Sequence, residues 1–392
     1  MNLYWDLFKT FLILGCTSFG GPIAHLGYFQ HEFVEKKKWI SSSAYADLVA
    51  LSQFLPGPAS SQVGIAIGQI RGGILGGILA WFAFTLPSAI IMILFGLGVG
   101  LYPEFWNQGV LHGFKIAAVV VVSHAVWSMG VKLCPDKERI SLALLALFFS
   151  VAIGGTYGQI LPILLGGIFG FFFLKKEANL PHSPSGFKIS HIYSYTLLTI
   201  FFLILFLLPF LSNFLQNQSL RIFDSFFRVG SLVFGGGHVV LPLLKEEVVT
   251  TGLVSNQLFM VGYGAAQAIP GPLFTFTAYL GTVSTLAPNG ILGGVFCLVA
   301  AFLPAYLLII GVLPVWEKFR KETWLKQSMA GINAVVVGLL IAALYSPVWT
   351  EAIFNRFDFL VFALGFVLLM FWKLPSWVIV GVCAFFGFCL NF

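Results

Sequence analysis

Hydrophobic positions run through this chain in long unbroken stretches, not in the alternating or one-faced patterns of a water-soluble fold. Residues 74–101, 110–131, 193–211, 291–315 and 329–345 are each apolar over a length that can cross a bilayer, which takes roughly 17–25 helical residues. Shorter apolar runs come in pairs late in each half, 140–153 with 160–174 and 357–372 with 377–390, and their brief connections predict closing helical hairpins. The extended polar stretch at 175–191 contains Pro181, Pro184 and Gly186 and predicts a linker between halves.

Helix-breaking residues interrupt the apolar sequence twice, in matching places. Phe19-Gly20-Gly21 is followed by Pro56-Gly57-Pro58, and Phe234-Gly235-Gly236-Gly237 by Pro270-Gly271-Pro272. The match continues through Gly15 with Gly230, Glu32 with Glu247, Gln53 with Gln267, Gly-Ile-Leu-Gly-Gly at Gly73 and Gly290, and Leu86-Pro87 with Leu303-Pro304. Repetition of this length predicts duplicated halves: an N-terminal repeat over 1–178, a linker with an extra transmembrane helix over 179–212, and a C-terminal repeat over 213–392. Broken backbone in a membrane is tolerated where it lines a cavity or is enclosed by protein, so paired breaks in duplicated halves predict a transport site.

Loop charges orient the halves. Residues 102–109 hold no Lys or Arg, whereas Lys36, Lys37, Lys38, Arg71 and the connection 132–139 are basic, which predicts a cytoplasmic N-terminus and an external 102–109 loop. The equivalent loop of the second half carries Lys318, Arg320, Lys321 and Lys326 and should be cytoplasmic, so the copies are expected to be inverted. Residues 193–211 have no counterpart in the first half and supply the odd crossing that inversion needs. On this reading 41–55 with 59–70, and 256–269 with 273–286, are re-entrant half-helices meeting at each Pro-Gly-Pro. The Phe-Gly-Gly segments read either as further breaks or as close turns. The expected fold is an all-α polytopic membrane protein of two inverted-topology repeats with roughly 9–13 membrane segments.

Composition agrees: 58% of the residues are apolar and 9% charged, with a mean hydropathy of +0.94, which leaves no sizeable water-facing domain. The formal charge of +6 belongs to short loops and is not a nucleic-acid signal. Cys16, Cys134, Cys297, Cys383 and Cys389 form no CxxC pair or metal-ligand spacing, so neither a metal nor a cofactor is expected. Residues 1–19 carry Asp6 and Lys9 without a basic start and small-residue cleavage site, and are expected to be retained. A homodimer is compatible with the sequence.

Helix N-termini carry unpaired N–H groups and about half a positive charge, so breaks followed by helices form anion-binding points. Each contributes only about 0.3–2 kcal/mol, so several must converge on an oxyanion at mid-membrane. The candidate substrate residues are therefore Phe19, Gly20, Gly21, Pro56, Gly57, Pro58, Gly235, Gly236, Gly237, Pro270, Gly271 and Pro272. Ser60, Ser61 and Gln62 make the first copy more polar than the second, which offers Thr275 after Leu273 and Phe274, so asymmetric binding is expected. Arg228 lies two helical turns before Phe234 and could meet the substrate charge, ahead of Lys115; His238 could donate to an anion or cap an interface. Glu32, Glu247 and His25 are candidates for proton coupling, with Asp47 and Asp224 weaker. Glu32 sits near Lys36 and Glu247 near Lys245, so solvated interfacial roles compete with that reading.

Phe-Gly-Gly-Pro at Phe19, Gln-Phe-Leu-Pro-Gly-Pro at Gln53, Phe-Gly-Gly-Gly-His at Phe234 and Gln-Ala-Ile-Pro-Gly-Pro-Leu-Phe at Gln267 closely resemble the chromate ion transporter family, over nearly the whole chain. The resemblance is to its long, two-domain members and implies export of chromate across the bacterial cytoplasmic (inner) membrane, giving chromate resistance. Residue chemistry alone does not separate chromate from sulphate, since both are tetrahedral dianions. With no P-loop present, a secondary transporter is expected. A membrane-embedded enzyme on a phosphorylated lipid would need a nucleophile with its base or a metal cluster, and the sequence has no motif for either. A passive channel, or a subunit needing a partner, stays open.

Overall fold

Apolar runs in lipid must pair every backbone group internally, and the described residues do this with helices. The computed structural model describes residues 3–101, 106–174, 191–234, 239–316 and 322–390. In the first half α1 (Leu3–Thr17), α2 (Gly21–Phe29), α3 (Ser42–Phe54), α4 (Ala59–Leu101), α5 (Gln108–Leu133), α6 (Lys137–Ile153) and α7 (Gly155–Phe173) follow one another, a π-helical turn over Gln30–Lys36 extending α2. After α8 (His191–Phe214) come α9 (Gln218–Leu232), α10 (Val240–Val248), α11 (Asn256–Ala266), a 3₁₀ turn Leu273–Thr275 leading into α12 (Phe276–Thr282), α13 (Gly290–Val312), α14 (Thr323–Ala343), α15 (Arg356–Met370) and α16 (Ser376–Leu390). Five of the helices, those containing the five long apolar runs, have the length and composition to cross a membrane. The protein is an all-α, multi-pass membrane protein.

α4 is two helices. Gly72 and Gly73 leave helical geometry, Gly73 at φ 62°, and residues 59–71 and 74–101 fold back on each other. Gly68 then meets Gly76 and Ala80, as Gly281 of α12 meets Gly293 and Cys297 of α13, with no room for a side chain at either glycine. With α4 so divided, the order of elements in the first half recurs in the second. Even the caps repeat: Ser41 Oγ accepts from the Ala44 N–H at 3.2 Å and Ser255 Oγ from the Leu258 N–H at 3.3 Å.

The halves are interlaced. The α6–α7 hairpin of the first packs on α14 of the second, and the α15–α16 hairpin of the second on α5 of the first. Backbones touch at Gly331 against Gly166, and at Gly113 against Cys383, where an added Cβ would collide with a carbonyl oxygen. α8 lies outside this exchange, packed on α9 and α13, with Phe206 and Phe210 largely exposed as a lipid-facing helix requires.

Candidate functional site

The two breaks meet across the molecule. Pro56 to Pro58 separate α3 from α4, with Leu55 extended and Gly57 at φ 121°; Pro270 to Pro272 separate α11 from the 3₁₀ turn before α12, with Gly271 at φ 95°. Prolines supply no N–H and L side chains avoid these positive φ values, so this composition holds the chain open. The free N–H of Gly57 donates to the Val233 carbonyl at 2.7 Å, and that of Gly271 to the Ser18 carbonyl at 2.8 Å. Val233 and Ser18 each directly precede a Phe-Gly-Gly. Each Pro-Gly-Pro is thus tied to the Phe-Gly-Gly of the other copy, and reciprocal contacts of this kind are what a two-fold relation produces. The first Phe-Gly-Gly is a close turn: Gly20, at φ 97°, ends the break after α1 and caps α2.

Where Gly271 meets the first Phe-Gly-Gly, the helices leave a cavity of about 430 Å³ lined by Gly20, Gly21, His124, Gln267, Gly271, Lys373 and Ser376, among others. The N-terminus of α2 opens beside it. Lys373 occupies the α15–α16 connection in a left-handed conformation, φ 54°, uncommon for a lysine. Ser376 Oγ donates to the Gln267 carbonyl at 2.8 Å, anchoring α16 to the second break, and Phe19 and Trp377 touch with ring centroids 6.2 Å apart. A cation, an imidazole, two hydroxyl- or amide-bearing side chains and a helix N-terminus on one cavity suit a small oxyanion.

The polar residues after the first Pro-Gly-Pro are packed away from that cavity. Gln62 Nε2 donates to the Pro56 carbonyl at 2.7 Å, and Ser60 Oγ lies 3.3 Å from His25 Nδ1. Ser61 Oγ, Gln62 Oε1, Ser18 Oγ and Thr85 Oγ1 are buried without hydrogen-bond partners, so a polar, under-satisfied interior lies beside the Ser18 to Gly271 link. The open cavity is at the second Pro-Gly-Pro, the buried polar cluster at the first. Thr275 Oγ1 donates to the Pro272 carbonyl at 2.8 Å, within the 3₁₀ turn.

Charged candidates lie apart from both. Arg228 is ion-paired with Asp224, one turn earlier on α9, and Glu247 Oε1 lies 3.9 Å from its guanidinium. Glu32 Oε2 accepts from Lys36 at 2.9 Å, and Lys37 reaches Asp6 at 2.7 Å, so each copy joins its first helix to the next segment by an ion pair. Asp47 is buried on α3. Gly235, Gly236, Gly237 and His238 lie outside the described residues. Sequence reasoning did not select His124, Gln267, Lys373 or Ser376. His124 carries a signal, an ionisable group inside a spanning run; Lys373 reads as an ordinary loop lysine until the hairpin is folded against α5 and α11.

The family model for the chromate transporter matches residues 5–171 and again 220–388, one match over each copy of the helix–break–helix order. The chain belongs to the chromate transporter family. A chromate transport protein of Pseudomonas aeruginosa is 26% identical over 396 aligned positions, covering 97% of this chain and 90% of that one. A probable chromate transport protein of Synechococcus elongatus is 26% identical over 341 positions, 86% of this chain and 83% of its own. An uncharacterized transporter of Methanocaldococcus jannaschii is 25% identical over 347 positions, 86% of this chain and 82% of its own. No solved structure matches this chromate transporter family member.

Proposed function

We propose that this chain is a secondary transporter that exports chromate across the cytoplasmic membrane, and that it binds the ion in the cavity between the first Phe-Gly-Gly and the second Pro-Gly-Pro. The observation that carries this reading is the convergence of Lys373, His124 and the α2 N-terminus on a cavity walled by Gly271. Several weak attractions act together there, as an oxyanion leaving water requires. Domains over 1–178 and 213–392 around the extra helix, inverted about an in-plane two-fold axis, are part of the proposal. The reciprocal Gly57 to Val233 and Gly271 to Ser18 bonds support the two-fold relation, and the loop charges support the inversion with a cytoplasmic N-terminus.

Export follows from the charge of the ion. A dianion gains about 4.6 kcal/mol on leaving a compartment held 100 mV negative, equivalent to more than about three decades of concentration ratio. Resistance to chromate follows if the potential is maintained. In proteoliposomes, Lys373→Met is expected to raise the apparent KM for chromate about tenfold or more, with protein monodispersity unchanged, because a charge-assisted contact of about 1.5–3 kcal/mol is lost. Wild-type affinity in that variant would remove Lys373 from the site.

Proton coupling, if used, runs through Glu32, Glu247 or His25. Glu247 faces Arg228 and Asp224 and Glu32 faces Lys36, so protonating either carboxylate breaks an ion pair and can loosen a helix contact. The expected result is that collapsing the proton gradient at a potassium-clamped potential slows chromate flux severalfold, and that Glu247→Gln abolishes the difference. Flux that ignores the gradient at fixed potential would leave the potential alone as the driving force. Sulphate, a dianion of the same shape, is the control substrate in each assay.

A further inference from the structure

We infer a second oxyanion site, at the far end of the helices that bound the proposed transport cavity. α5, α11, and α15 with the residues just before it contribute to both. At one end lie His124, Gln267 and Met370; at the other, a cavity of about 270 Å³ is lined by Gln108, Leu111, His112, Lys115, Gln257, Phe354 and Asn355. The two are parted by packed chain. Gly264 of α11 lies against the Phe114 carbonyl of α5 so closely that no side chain fits, and Val261 and Phe114 fill the space above it.

Lys115 is the feature that needs an explanation. It is 9% exposed, belongs to the wall of this cavity, and its ammonium lies over the Phe354 ring, 5.6 Å from the centroid. A buried lysine is normally paired. The nearby carboxylates are Asp358 and Glu351. Asp358 already accepts three hydrogen bonds: Oδ1 accepts from His112 Nε2 at 2.9 Å, and Oδ2 from the Phe354 and Asn355 N–H groups at 2.8 and 3.1 Å. Glu351 also attracts the ammonium, but among the described residues no ion pair within 4.0 Å joins Lys115 to either carboxylate. The ammonium is thus left facing a cavity edged by the amides of Gln108, Gln257 and Asn355, a donor set that matches a tetrahedral oxyanion.

In the proposed orientation this end of the helices is external, and the site would hold the ion on release. That role rests on the transport reading; the binding itself does not. Sulphate serves as the probe because, unlike chromate, it does not oxidise thiols. Equilibrium binding of labelled sulphate to purified, delipidated protein should show two classes of site. Lys115→Met should remove one and Lys373→Met the other, while Lys115→Arg keeps both. Gln257→Leu, a substitution at an exposed position, should weaken the first class about threefold without disturbing the fold. If sulphate binding in Lys115→Met and Gln257→Leu matches wild type, the second site does not exist. Added phosphatidylglycerol that displaces sulphate from the Lys115 class alone would mean that the same site also accepts a lipid phosphate. Protein that binds sulphate at Lys115 but moves neither chromate nor sulphate in proteoliposomes would overturn the transport reading and leave this site standing.

Discussion

Gly271→Val should reduce chromate transport about a hundredfold or more, with the protein still assembled. Three demands fall on this residue together. Its φ of 95° is costly for any L side chain, its N–H spans to the Ser18 carbonyl at 2.8 Å, and a Cβ would stand 2.8 Å from Ser88 Oγ. Backbone strain of this kind costs about 1–3 kcal/mol, and the collision adds to it by pushing the break away from α4. The break forms one wall of the proposed cavity, and a displacement of about 1 Å at a reacting or binding locus can cost about two orders of magnitude. Gly73→Val is the control: φ there is 62° but nothing lies within 4 Å of the added carbon, so strain is introduced away from the cavity and transport should fall little. The measurement is initial-rate chromate uptake in proteoliposomes, normalised to reconstituted protein. Wild-type rates in Gly271→Val would mean that the second break is not on the ion's path.

Gly331→Val and Gly113→Val should each destabilise the protein by about 3 kcal/mol or more, the upper range for overpacking, because the clash is with backbone that cannot rotate aside. Gly331 faces the Gly166 carbonyl and Gly113 the Cys383 carbonyl, so each substitution pries a closing hairpin off the long helix of the other half. The two contacts are alike, each a glycine of a long helix against the backbone of the other half's hairpin, and similar losses are expected from both. Gly130→Val on the same α5, with open space around it, should be close to neutral. Thermal unfolding in detergent, followed by size-exclusion fluorescence, reads the difference. Unchanged melting in both variants would show that the interlacing does not hold the halves together.

Much of the architecture was legible in the chain. The apolar runs foretold the five spanning helices, the paired shorter runs foretold both closing hairpins, and Pro-Gly-Pro foretold interrupted helices, whose ends were placed to within a residue in the first copy and to within four in the second. These are local properties: a long apolar run in lipid must be a helix, and two prolines around a glycine cannot continue one. The candidate cavity was legible only in part. Gly20, Gly21 and Gly271 line the cavity, but Ser60, Ser61 and Gln62, chosen for their polarity, face inward beside His25, and Arg228 is paired with Asp224. Polarity along a sequence reports which side chains can bind, not which of them keep their donors free.

By itself, then, the sequence determined the class, the number of long spans, the duplication and the places where helices must break. It also carried the motifs that place the chain among chromate transporters. Only the tertiary structure decided that each Pro-Gly-Pro joins the Phe-Gly-Gly of the other copy, and that Lys373 and His124, 249 positions apart by their numbering, share one cavity. The physical reason is the interlacing. Glycine contacts let α5 and α14 exchange hairpins between halves, and partners chosen by packing over such separations leave no trace in local pattern.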